Sequence, residues 1–200
     1  YLTFDYLNRN ADKRIEAICV DVLPEHMECV RARQKDNGIG QILPILGDAE
    51  NLPLKAGTIH GIISSECMEH VPNPQKCAKE MFRVLAPAGQ VLISTPNRGP
   101  YKRFHGVRLA LRRMLGEGPG PREDFFDNPL DHKDLALYLR NAGFRIERIE
   151  FAVKVPMAKR LLILVPEKLA LGIINLLERI LIGRYFGVNT LIKCVKPNGR

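Results

Sequence analysis

The chain has 200 residues, 46% hydrophobic and 26% charged, which suits one folded domain with a real core. Its net charge of +8 indicates an anionic partner, or else serves only the solubility of the protein. The five cysteines are odd in number and form no Cys-x-x-Cys pair, which argues against a zinc site and predicts reduced, buried thiols in a cytosolic protein. No signal peptide is evident at Tyr1, and the uncharged run 169–177 is too short to span a membrane.

Patterns typical of strands and helices alternate along the chain. Apolar, β-branched runs predict strands at 14–22, 41–48, 58–66, 90–97, 145–153 and 190–196. Amphipathic spacing with start and stop residues predicts helices at 1–12, 23–40, 72–89, 101–116, 131–144 and 156–182. Pro44 indicates an edge strand, Asp131 an N-cap and Gly143 a helix end. This alternation predicts an α/β fold, with a mostly parallel sheet covered by helices on both faces.

Polar residues follow three of the predicted strands, where ligands bind in open α/β sheets. The first strand ends in Asp21 and Val22, and such an acid can accept both hydroxyls of a ribose. The alternative is that Asp21 only caps the next helix. The second strand ends in Asp48 and Ala49, and this carboxylate can accept from the exocyclic amine of an adenine. The alternative is an ordinary turn aspartate.

The third strand ends in the stretch "SSECMEHV", with Ser65 and Glu66 at its edge. Small residues there leave room for a ligand and expose backbone groups to it. We therefore expect the rims of the three strands to form one ligand site.

Three segments together resemble the class I S-adenosylmethionine-dependent methyltransferases. They are "AICVDVLPEHMECVRAR", the long stretch from "GDAENLPL" through "SSECMEHVPNP" to "STPN", and "HKDLALYLRNAGFRIERIE". The resemblance covers about residues 1–151. The middle segment is most similar to the quinone-pathway O-methyltransferases, which are type 11 methyltransferases that act on small molecules.

The resemblance implies a Rossmann-like methyltransferase fold that binds S-adenosylmethionine. By it, the cofactor-binding residues are Asp21, Val22, Asp48, Ala49, Ser65 and Glu66. The family's first strand and glycine-rich loop would precede Tyr1, so we expect a fold truncated at its N-terminus. The chain also departs from the family pattern at His60, where an aspartate is usual, and at "APAGQ", which replaces a Lys-Pro-Gly-Gly turn.

Methyl transfer from a sulfonium needs alignment of donor and acceptor and at most one base, and histidine suits that role. We therefore take His70 as the candidate catalytic base, placed at the start of the helix after the third strand. The alternative is that His70 only fixes the loop by hydrogen bonds. Cys67 is a weaker candidate because Glu66, not a proline, precedes it. That feature and the absence of an Asn-Pro-Pro-Tyr motif argue against a nucleic-acid substrate. No metal ligand is predicted.

The region before the last strand is apolar with basic flanks. On a helical wheel the apolar face of 166–182 is too wide for a simple surface helix, so it is buried in the domain, buried in a partner or lies at a membrane interface. One hypothesis is that the basic segments 102–115 and 154–184 contact an anionic membrane surface, at the inner face of the cell membrane, and admit a lipid-linked acceptor. A folded lid without membrane contact is the alternative.

We expect one methyltransferase domain over 1–200. Its parts are a cofactor-binding half (1–98), a lid or substrate region (99–130), a C-terminal part of the sheet (131–153 and 190–196) and a helical insertion (154–189). The predicted activity is transfer of a methyl group to a small or lipid-linked acceptor, at oxygen. The rivals are a non-catalytic Rossmann-like binding or scaffold protein, an inactive truncated fragment and, more weakly, a nucleotide-dependent oxidoreductase.

Overall fold

A computed structural model describes residues 15–37, 42–98, 130–152 and 189–198. The predicted helices at 1–12, 101–116 and 156–182 lie outside these residues. The strands are β1 Ala17–Asp21, β2 Ile42–Leu46, β3 Ile59–Ser65, β4 Leu85–Pro96, β5 Arg145–Ala152 and β6 Asn189–Val195. The helices are α1 Pro24–Asn37, α2 Pro74–Val84 and α3 His132–Ala142. Each lies within a segment that the sequence assigns to that element, or within a residue of it, except β4.

The described strands form two sheets, in the orders β1-β2 and β3-β4-β6-β5. The β1–β2 and β3–β4 pairings are parallel, whereas β6 runs antiparallel to both of its neighbours. The fold is thus Rossmann-like as expected, and in the larger sheet β6 alone of the described strands runs against the other three. Because β6 is antiparallel, its first residues lie beside the last residues of β4.

Within the described residues, β1 pairs only with β2, and β3 pairs only with β4. Each therefore has one edge without a partner among the described strands. Pro44 lies in β2, whose one described neighbour is β1, in line with its predicted edge position.

The core lies where α2 and α3 cover the four-stranded sheet. The buried face of α2 consists of Cys77, Ala78, Met81 and Val84, which recur at helical spacing. Leu135 and Leu139 of α3 pack into the same cluster, as do the sheet residues Val91, Ile93, Ile192 and Cys194. The Phe82 and Phe144 rings meet edge to face, with centroids 5.1 Å apart.

The predicted end of α2 at residue 89 is wrong, because the helix ends at Val84 and Leu85 is already extended. Pro87 disfavours the helical conformation at the residue before it, so the chain leaves the helix early. The Lys196 ammonium donates to the Phe82 and Leu85 carbonyls, at 2.8 and 2.7 Å, and so satisfies groups at the helix end.

Both predicted caps of α3 are confirmed. The Asp131 side chain accepts from the Lys133 backbone N–H at 2.8 Å. Gly143 has φ +107°, and an added Cβ would lie 2.8 Å from the Phe82 ring. Glycine therefore fits here for two reasons, the left-handed backbone and the close ring.

The cysteines are less uniformly buried than the sequence suggests. Cys77 and Cys194 are buried, Cys19 and Cys67 are half-buried, and Cys29 is exposed on α1. All five are free thiols. In the described ranges, no helix combines the length and the apolar character that crossing a membrane requires.

Candidate functional site

Asp21 lies at the carboxyl end of β1 and is half-buried. Its Oδ1 accepts from the Leu23 N–H at 3.0 Å, and its Oδ2 lies 3.0 Å from His26 Nδ1. The Leu23 N–H precedes the helix, which begins at Pro24, so this bond closes a turn ahead of the helix and does not cap it. A carboxylate has about four lone-pair positions, so these two contacts leave acceptor capacity for a ligand. Val22, the next residue, is 57% exposed.

Asp48 lies at the corresponding end of β2. The Gly47 N–H donates to the Asp21 carbonyl at 2.9 Å, which places both carboxylates at the same rim of the parallel pair. Asp48 is exposed, and its Oδ1 accepts from the Glu50 N–H at 2.8 Å. Ala49 is half-buried and packs against the main core. Two acidic acceptors thus share this rim with small residues.

The loop that carries Asp48 and Ala49 is fastened to α2 by Glu50 and Arg83. Glu50 Oε1 accepts from the Asn73 N–H at 2.7 Å. Arg83 donates to the carbonyls of Leu52 and Leu54, both at 2.9 Å, and pairs with a carboxylate on α2 at 2.7 Å. These bonds hold the β2 rim against the helix that covers the larger sheet.

The end of β3 forms a second polar rim with β4 and β6. Glu66 has φ +51°, in the left-handed region, and its N–H donates to the Ser94 carbonyl at 2.9 Å. Its Oε1 accepts from Asn189 Nδ2 at 2.9 Å, and Ser65 Oγ lies 3.1 Å from Ser94 Oγ. This network holds an exposed carboxylate in a strained backbone conformation at the strand ends.

A buried acid lies next to that network. The Glu69 carboxyl accepts from Thr95 Oγ1 at 2.9 Å, and both residues are buried. Burial raises the pKa of Glu69 to about 7. The residue directly opposite Thr95 on β6 is Thr190, whose buried Oγ1 has no hydrogen-bond partner among the described residues. Sequence analysis missed Glu69, because a glutamate in a turn is normally exposed.

His70 lies in the turn after β3, and its predicted place at the start of a helix is wrong. The helix begins at Pro74, because the Asn73 side chain accepts from the Lys76 N–H at 3.0 Å and caps it there. The imidazole is 42% exposed, and its Nε2 lies 4.0 Å from Glu69 Oε1. His70 is thus an accessible histidine beside a buried carboxyl group.

Cys67 is unsuited to act as a nucleophile. Burial raises the pKa of its thiol, and the Glu69 and Asp21 carboxylates raise it further, so the thiol keeps its proton at neutral pH. No group of three or more His, Cys, Asp or Glu side chains that could hold a metal ion occurs in the described part of the chain.

A cleft of about 230 Å³ lies between the start of α2 and α3. Asn73, Arg98 and Tyr138 are among its lining residues, and none of the predicted site residues lines it. We base the candidate site on the two rims, because they carry the polar groups suited to a nucleoside and to proton transfer.

Comparison with known proteins finds similarity to the family that the sequence motifs resemble. Residues 2–93 match the family described as "Methyltransferase domain". The ubiquinone biosynthesis O-methyltransferase of Xanthomonas axonopodis pv. citri (strain 306) is 28% identical over 148 residues, which cover 72% of this chain and 60% of that protein. Norajmaline N-methyltransferase of Rauvolfia serpentina is 36% identical over 75 residues, which cover 37% of this chain and 26% of that protein.

The fold is shared with solved structures of low sequence identity. The [4+2]-cyclase SpnF aligns over 98% of this chain and 70% of its own, with a TM-score of 0.64 and 15% identity. A SAM-dependent methyltransferase from Methanosarcina mazei aligns over 92% of this chain and 83% of its own, with a TM-score of 0.62 and 14% identity. The chain spans about 60% of the length of the ubiquinone biosynthesis relatives that it matches over 148 residues. Residues 2–93 are thus similar to methyltransferase domains, and the chain shares the Rossmann-like fold of these solved structures.

Proposed function

We propose that this protein transfers a methyl group from S-adenosylmethionine to an oxygen of a small-molecule acceptor. The observation that carries the proposal is the pair of carboxylates, Asp21 and Asp48, which share one rim at the carboxyl ends of β1 and β2. The O-methyltransferase name of the relative from Xanthomonas axonopodis supports oxygen as the acceptor atom.

The residues of the β1–β2 rim fit the nucleoside part of S-adenosylmethionine. Ribose hydroxyls and the adenine amine donate hydrogen bonds, and the carboxylates of Asp21 and Asp48 can accept them. Asp48 is exposed, Asp21 is half-buried, and small residues on either side of Asp48 leave the rim open. We propose that Asp21 and Val22 take the ribose side and that Asp48 and Ala49 take the adenine side. Ser65 and Glu66 would border the methionine end.

When bound, S-adenosylmethionine supplies a methyl group on a positively charged sulfur. The chain's own task is then to align the acceptor and remove its proton. His70 is accessible and neutral imidazole accepts a proton near pH 7, so we propose it as the base. Glu66 is exposed, and its negative charge favours a sulfonium nearby.

Titration calorimetry with S-adenosylhomocysteine tests the binding half of the proposal. We expect micromolar binding to the protein and about tenfold weaker binding to Asp21→Asn. A protein that binds no S-adenosylhomocysteine contradicts the proposed cofactor and favours a scaffold.

Replacement of His70 by Gln then tests the base. We expect kcat to fall at least tenfold, and an unchanged kcat at all pH values removes His70 from the chemistry.

We also propose a lipid-linked acceptor and a peripheral site of action at the cytoplasmic face of a membrane. The support is the basic charge of 102–115 and 154–184 around an apolar run. Co-sedimentation with vesicles of phosphatidylglycerol and phosphatidylcholine tests it, with vesicles of phosphatidylcholine alone as the control. Binding to the anionic vesicles at low salt that weakens at high salt is expected. The absence of binding at low salt contradicts it.

A further inference from the structure

Glu69 is a buried acid that the proposed function does not use. Its side chain is 2% exposed, and it has no lysine or arginine ion-pair partner within the described ranges. An ionised carboxylate in such a place is costly unless it is paired or accepts hydrogen bonds. A glutamate at this position therefore needs a reason other than stability.

The surroundings of Glu69 supply both a restraint and a proton partner. Thr95 Oγ1, from β4, donates to Glu69 Oε2. The other carboxylate oxygen, Glu69 Oε1, lies 4.0 Å from His70 Nε2. The other titratable group that influences this carboxyl is Glu66, and Glu69 in turn raises the pKa of the Cys67 thiol in the same turn. Glu66 opposes ionisation of Glu69, whereas the hydroxyl of Thr95 and a charged His70 favour it.

We propose that Glu69, held by Thr95, is a positioning residue for His70, so that the two side chains act as one acid–base pair during methyl transfer. This inference rests on the proposed function. The buried carboxylate stabilises the imidazolium that forms when His70 takes a proton, and it restrains the ring beside the strand ends.

The step can be written in full. The acceptor hydroxyl gives its proton to a ring nitrogen of His70, while a lone pair of the same oxygen forms the new oxygen–carbon bond. The carbon–sulfur bond breaks, and its electron pair stays on the departing sulfur, which becomes uncharged. His70 ends as an imidazolium beside the Glu69 carboxylate, and release of one proton to solvent restores the pair.

The test is an NMR pH titration of the His70 ring in the wild type and in Glu69→Gln. Gln keeps the size of Glu and can still accept from Thr95, but it carries no charge. We expect the pKa of His70 to fall by about one unit in Glu69→Gln, because an opposite charge at 4–6 Å has been removed. An unchanged His70 titration in a folded Glu69→Gln protein overturns the proposal.

Two further variants sharpen the test. Thr95→Val removes the hydroxyl that favours ionised Glu69, at nearly constant side-chain volume. It should therefore also lower the His70 pKa, but by less than Glu69→Gln does. Glu150→Gln removes an exposed carboxylate from β5 and should leave the His70 titration unchanged. A shift of equal size in Glu150→Gln contradicts a specific pair.

Kinetics provide the second readout. In Glu69→Gln we expect kcat to fall about tenfold and the acid limb of the pH profile to move by about one unit to lower pH. A fall in kcat without movement of the limb indicates a merely structural role and overturns the pairing. The ring titration needs no cofactor or acceptor. A failure of the proposed function, seen as no binding of S-adenosylhomocysteine, is therefore distinguishable from a failure of the pair.

Discussion

The two polar rims of this molecule are built differently. The β1–β2 rim presents Asp21 and Asp48 to solvent from a two-stranded sheet, and their side chains contact residues two to five positions away in the chain. The β3–β4–β6 rim joins Glu66 to Asn189, 123 residues away, and buries Glu69 under Thr95. In the proposed function, the open acceptors of the first rim bind the ligand and the packed network of the second rim fixes the groups beside it.

The strands beneath the two rims also differ in how deeply their apolar side chains are buried. Ile93 of β4 is fully buried, whereas Ile18 of β1 is 38% exposed. We expect Ile93→Ala to cost about 2–5 kcal/mol of unfolding free energy and Ile18→Ala less than about 1 kcal/mol. Urea denaturation measures both. Equal losses contradict the comparison, because they mean that β1 is as buried in the folded protein as β4.

The buried acid should make stability depend on pH. Between about pH 4.5 and pH 7 the folded state keeps the Glu69 proton that the unfolded state has lost, so stability falls as pH rises through that window. The loss should amount to about 3 kcal/mol, since each pKa unit is worth about 1.4 kcal/mol. Glu69→Gln should lack this loss and be more stable than the wild type at pH 8. Thermal denaturation across the window checks it, and parallel curves for the two proteins contradict a buried acid.

The open rim should matter for binding and little for stability. We expect Asp21→Asn and Asp48→Asn each to weaken binding of S-adenosylhomocysteine about tenfold, or about 1.4 kcal/mol. Their unfolding free energies should stay within about 0.5 kcal/mol of the wild type. Calorimetry and urea denaturation give the two numbers. A large loss of stability with unchanged affinity assigns Asp21 a structural role alone.

The smallest expected effect is on the network of the second rim. Asn189→Ala removes the amide that donates to Glu66 and should cost about 1 kcal/mol of unfolding free energy, since it leaves a carboxylate that solvent can still reach. Urea denaturation measures this cost. The control is Ser65→Ala, which removes an exposed hydroxyl from the same rim. A cost of several kcal/mol in Asn189→Ala contradicts an exposed contact at this rim.

Local chemistry made the elements predictable, whereas long-range contacts did not show in the sequence. Asp131 and Gly143 mark the ends of α3 because capping and a left-handed residue depend only on neighbours in the chain. The early end of α2 was missed, although Pro87 was the signal for it. The contact between Glu66 and Asn189 had no signal, since it exists only because β6 runs antiparallel beside β4.

The sequence by itself determined the order of the elements, the acids at the strand ends and the resemblance to methyltransferases, because these depend on short-range patterns and motifs. Only the tertiary structure decided that Asp21 and Asp48 share a rim and that His70 lies in a turn over a buried Glu69. The physical reason is that burial is a property of packing. A glutamate has its ordinary acidity until strands and helices from distant parts of the chain remove the water around it.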